Sequence, residues 1–186
     1  MRLPVDRTSG FGGTLLLNLN LGSVGLPPNF DFEGRRWVAK IEHHVTLLGS
    51  AHKSQLMQSC VGDKDTKQRQ IAQAVAEAKQ GIVFTVEPYP EVRLVTKDYP
   101  GKGLRTSIVL MCRAFGSDNF YRSLQAKINQ DLGVIPHHIT LYTADDPESR
   151  QGIGINSLSD LEQLSRIIGM NDLPPSVRES ILKLTS

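Results

Sequence analysis

Two short stretches of the chain offer the same chemistry. His43-His44-Val45-Thr46-Leu47 and His137-His138-Ile139-Thr140-Leu141 each set an imidazole two residues before a hydroxyl, inside an apolar run. Neighbouring side chains on a strand point to opposite faces, so His44 shares a face with Thr46, and His138 with Thr140 and Tyr142. Val45, Leu47, Ile139 and Leu141 take the other, buried face. One His-x-Thr is weak evidence because threonine is common. A second copy, in the same apolar context and at the equivalent place in the second half, makes a matched pair. Histidine has a pKa of ~6.5, so both of its forms exist near neutrality and it suits either acid or base work. Two imidazoles facing one reacting centre would take a proton from water and return one to a leaving group. Two threonine hydroxyls beside them would donate to negative charge that develops there.

This scheme calls for no metal and no cofactor. The His43-His44 and His137-His138 doublets look suited to zinc, with Asp145 and Asp146 as further ligands. On a strand, however, His43 and His137 turn away from the paired set, and that alternation does not supply three convergent ligands.

Elements that would position these residues follow from hydrophobic period. Thr14 to Leu21 alternates, with Leu15, Leu17, Leu19 and Leu21 on one face and Asn18 and Asn20 on the other, which predicts a strand. Residues 22–34, rich in Gly, Pro and Asn, read as a loop, and Arg36 to Leu48 as a second strand. Asp63 to Gly81 has helical spacing, with Asp65 or Thr66 as a cap. Ile82 to Val86, Glu91 to Lys97 and Thr106 to Ala114 read as strands. Ser117 to Leu132 reads as a helix and His137 to Thr143 as a strand. A capped helix follows from Ser157 through Ile168, and a last one starts near Pro175. Two longer helices between hairpin-like strands point to an α+β protein with mostly antiparallel sheet. Neither a Gly-x-Gly-x-x-Gly nor a Walker sequence is present, which removes those routes to nucleotide binding.

Bulk properties agree with an ordinary globular chain. Its 186 residues are 39% hydrophobic and 22% charged, enough for one domain with a real core. The net charge of +2 permits a polyanionic ligand without arguing for a long one. The two cysteines, Cys60 and Cys112, form no metal or disulfide pattern and read as reduced thiols. The apolar stretch at 14–21 is too short to span a bilayer and holds two asparagines. A cytoplasmic protein without membrane contact is the expectation, and nothing indicates an oligomer, so a monomer is expected.

The paired motifs resemble those of the two-histidine phosphoesterases, a family that includes RNA 2′,3′-cyclic phosphodiesterases. The match lies in His44-Val-Thr46-Leu and His138-Ile-Thr140-Leu, while the loop at 22–34 departs from the helix common there. The resemblance implies a single two-lobed domain over residues 1–186. Two mostly antiparallel sheets with flanking helices would surround a central cleft carrying the two His-x-Thr strands. It implies a metal-independent phosphodiesterase acting on a cyclic nucleotide or RNA-end phosphate, with His44 and His138 catalytic and Thr46 and Thr140 on the phosphate. The alternative is a non-catalytic nucleotide- or RNA-binding module on the same scaffold. Five further residues are candidates for substrate contact, each with a structural alternative. Asn18 and Asn20 would line the cleft or face solvent, and Tyr142 would meet substrate or pack in the core. Trp37 would stack on a base or pack in the core. Arg105, with Lys102 beside a Gly-rich loop, would bind phosphate or belong to a solvated turn.

Overall fold

Alternating leucines, a long β-branched hairpin and two helices with side-chain caps dictate most of what forms. The computed structural model describes residues 1–10, 14–145 and 152–186. The first half contains β1 (Leu3–Pro4), β2 (Arg7–Ser9), β3 (Leu15–Leu19), β4 (Asn29–Phe32), β5 (Arg35–Ala39) and β6 (His43–Leu48), then α1 (Ser50–Ser59) and α2 (Lys64–Ala78). The second half contains β7 (Thr85–Tyr99), β8 (Gly103–Phe115), α3 (Ser117–Ile128), β9 (His138–Ala144), α4 (Leu158–Leu164), β10 (Ser165–Ile168) and α5 (Pro175–Thr185).

The protein is a mixed α+β structure with two antiparallel sheets. The larger has the order β1-β7-β8-β9-β5-β4, with β10 also pairing with β7. The smaller has the order β2-β3-β6. The main core lies between strands and helices and includes Leu17, Val45, Leu47, Leu56, Ile71, Phe120 and Leu124. A second apolar cluster, with Val95, Val109, Met111, Ile153, Ile155 and Leu161, covers another part of the large sheet. No described helix is long and apolar enough to cross a membrane.

One departure from the sequence reading matters most for the site. Arg36 to Leu48 is not one strand; it breaks at residues 40–42, and its halves join different sheets. β5 follows β9 until Ala39 pairs with Tyr142, and the Lys40 amide extends that ladder by donating to the Leu141 carbonyl at 2.9 Å. The chain then turns out, leaving Ile41 98% exposed, and β6 pairs with β3 instead. In consequence β6 and β9 lie against each other without sharing a ladder.

Other differences have local causes. The loop at 22–34 contains β4, which pairs with β5 through a turn at Glu33-Gly34 where both residues have positive φ. That is the conformation a tight hairpin turn requires and glycine supplies. Helix α1 escapes a periodicity reading because it buries only His52 and Leu56. The cap of α2 is Asp63, whose carboxylate accepts the Thr66 amide at 2.8 Å. The two strands expected at 82–97 form one, β7, irregular between Pro88 and Val92 where proline removes a ladder donor. The helix expected through Ile168 stops at Leu164, because Ser165 to Ile168 completes a ladder on β7.

Candidate functional site

His44 and Thr46 sit on β6, the edge strand of the small sheet; His138 and Thr140 sit on β9, inside the large one. All four line a single cavity of about 360 Å3. Its wall is completed by Thr14, Leu16, Lys40, Leu48, Gly49, Ser50, Ile135, Asn156 and the segment Gly152 to Ile155. Ile153 and Ile155 are buried and make one side apolar. Among the described residues the lining holds no carboxylate, and its fixed positive charge is Lys40. Such a cavity favours an anion.

Each imidazole has a distinct setting. His138 Nδ1 is 3.1 Å from the Pro136 carbonyl, so Nδ1 carries the hydrogen and Nε2 is left to exchange a proton. Burial holds His138 below its ordinary pKa, the Pro136 carbonyl opposes the shift, and a charge on His44 adds to it. Burial also lowers His44, helped by the ammonium of Lys40 and opposed by Glu42. A proton on one imidazole therefore disfavours a proton on the other. Burial and this repulsion disfavour the imidazolium in the pair, and an anion bound in the cavity would favour it in one ring, leaving the other as a base.

Two features of this site are not visible in the periodicity of the sequence. Lys40 enters only because the chain changes sheets there. The N-terminus of α1 enters because the helix itself has no apolar stripe to announce it. Gly49, the N-cap, offers no side chain to the free amides of the first turn, and Gly49 and Ser50 both line the cavity. The positive end of the helix is thus open to an anion beside Thr46. The two glycines also keep space clear: a Cβ on Gly49 would lie 3.7 Å from Thr46 Cγ2, and one on Gly152 4.0 Å from Thr140 Oγ1.

The remaining sequence candidates lie elsewhere. Tyr142 does not share the cavity with His138 and Thr140, because β9 has an irregularity. Thr140 pairs with Val109 and Tyr142 with Ile108, so Leu141 is an extra residue and the face reverses there. Tyr142 is fully buried, edge-on to Phe30 at 4.8 Å. Trp37 belongs to β5 and not to a motif strand; it is core, and its indole donates to the Phe32 carbonyl at 3.0 Å. Arg105 is buried with its guanidinium over the Tyr99 ring at 4.3 Å, and it does not line the cavity. Asn18 pairs with His44 across the small sheet, but Asn18 and Asn20 line a neighbouring cavity. His43 and His137 are half-buried, and burial plus the adjacent histidine push each down to about 4. Asp145 is exposed, 3.8 Å from Arg36; Asp146 lies outside the described residues. Among the described residues no three His, Cys, Asp or Glu side chains converge as metal ligands.

Comparison of the chain with protein-family models, with curated proteins and with solved structures finds no match.

Proposed function

We propose that this cavity hydrolyses a phosphodiester, a 2′,3′-cyclic phosphate on a nucleotide or RNA end, without a metal ion. The reading takes the two sheets as two lobes and the cavity as the cleft between them. The observation that carries it is the convergence of both His-x-Thr pairs, from different sheets, on one cavity that favours an anion.

In this mechanism the phosphodiester anion is held by Lys40, by the open amides of α1 and by the hydroxyls of Thr46 and Thr140. One neutral imidazole removes a proton from water as its oxygen bonds to phosphorus. The protonated imidazole delivers its proton to the departing ribose oxygen as the P–O bond breaks. The histidines exchange protonation states over a turnover, and proton exchange with solvent resets them. The apolar side made by Ile153 and Ile155 excludes water and strengthens these polar contacts.

The test is turnover of a 2′,3′-cyclic mononucleotide by purified protein in EDTA, with the His44→Ala/His138→Ala double variant as control. Hydrolysis by the wild type that the double variant loses supports the proposal. Hydrolysis that EDTA abolishes and a divalent ion restores overturns the metal-free mechanism. Saturable binding without turnover identifies a binding module instead.

A further inference from the structure

A second cavity, of about 450 Å3, adjoins the first, and Lys40 belongs to the walls of both. The two consecutive histidines of β6 divide between them: His44 lines the first and His43 the second. Asn18, directly across the sheet from His44, lines the second cavity beside Asn20, Arg7 and Glu42. Resting on the hydrolytic reading above, we propose that this cavity is a subsite for a neighbouring nucleotide unit. The preferred substrate is then an oligonucleotide end and not a mononucleotide.

The chemistry of the wall suits a nucleobase. Asn18 Nδ2 is committed to the Arg7 carbonyl at 3.1 Å and to Ser9 Oγ at 2.8 Å, which leaves its Oδ1 as the acceptor still to be used. Asn20 has the opposite arrangement: its Oδ1 accepts the Gly22 amide at 3.0 Å, so its Nδ2 remains to donate. His43 adds a third neutral group. Its Nε2 is buried with no partner among the described residues, and a pKa of about 4 keeps the ring uncharged at neutral pH. One acceptor, one donor and a neutral imidazole match the mixed edge of a base better than they match a phosphate. The charged lining is balanced, Arg7 and Lys40 against Asp6 and Glu42, and the two cations can meet the phosphate that links two units. Ile41, 98% exposed on the same wall, offers an apolar surface to a ring or ribose.

Two substrates of equal chemistry decide the matter: a 2′,3′-cyclic mononucleotide and a dinucleotide with the same cyclic end. The dinucleotide should have the higher kcat/KM by about tenfold, the worth of one or two added hydrogen bonds. Asn20→Asp keeps the oxygen that accepts the Gly22 amide but removes the donor. It should erase most of the dinucleotide advantage and leave the mononucleotide rate unchanged. Equal kcat/KM for both substrates in the wild type overturns the subsite while leaving the hydrolytic reading intact. If neither is hydrolysed, calorimetric affinities for the 3′-phosphorylated mononucleotide and dinucleotide decide. A tighter dinucleotide, weakened by Asn20→Asp, supports the subsite, and equal affinities overturn it.

Discussion

His44 and His138 are the same residue type in the same motif, yet their surroundings give them different partners. A carbonyl orients one ring through Nδ1, and an ammonium lies near the other. Because burial lowers both, with Lys40 adding to the shift at His44 and His44 adding to it at His138, the acid and basic limbs of a bell-shaped profile should lie below those of free imidazole. The profile of kcat/KM is expected to peak below about pH 6.5, and that of kcat at higher pH, since a bound phosphate anion favours the imidazolium. Steady-state rates across pH check this, and a flat profile would count against acid–base work by histidine. Thr46→Ala and Thr140→Ala are each expected to lower kcat by about 10- to 1,000-fold, the range for removing one oxyanion donor. Their circular dichroism should match the wild type. If both variants retain full kcat on a substrate the wild type turns over, the hydroxyls do not meet the phosphate.

At the scale of elements, β6 is the exposed problem. It is an edge strand of the small sheet, and an edge must be covered or it invites other pairings. Helix α3 covers part of it, because Tyr121, itself buried, donates its hydroxyl to the Leu47 carbonyl. His52 of α1 lies 2.6 Å from the Gly133 carbonyl and ties that helix to the segment before β9. Tyr121→Phe is therefore expected to cost about 1 kcal/mol in urea unfolding, the net worth of one hydrogen bond. It should lower activity far less than either histidine variant. The irregularity in β9 teaches a similar lesson. A one-residue slip reverses every following side chain, so Tyr142 leaves the face that strict alternation assigns to it.

For the molecule as a whole, two histidines outside the chemistry set an acid limit. His43 and His137 are held neutral to about pH 4, whereas in the unfolded chain they take up protons near 6.5. Between those values the unfolded state binds more protons than the folded one, so stability falls as pH drops through that window. Below about pH 4 these two groups contribute no further loss. Urea midpoints at pH 7.5 and 4.5 should differ less for the His43→Gln/His137→Gln variant than for the wild type. An unchanged difference would place the acid sensitivity elsewhere.

Several parts of this arrangement are local enough to be legible in one dimension. Strand alternation pairs His44 with Thr46 and His138 with Thr140, and the leucines of β3 declare their buried face through the same period. The α+β class follows from the order of strands and capped helices, and Ser157 and Pro175 mark helix starts because capping is chemistry among neighbours. What periodicity does not carry is where the chain changes partners. The break at residues 40–42, the extra residue at Leu141 and the conversion of Ser165–Ile168 to strand all depend on ladders offered by residues far away in sequence. Those long-range ladders, and not local preference, bring Lys40 and the N-terminus of α1 to the cavity and carry Trp37 and Tyr142 into the core. The sequence by itself determined which side chains would share a strand face; only the tertiary structure decided which faces would meet.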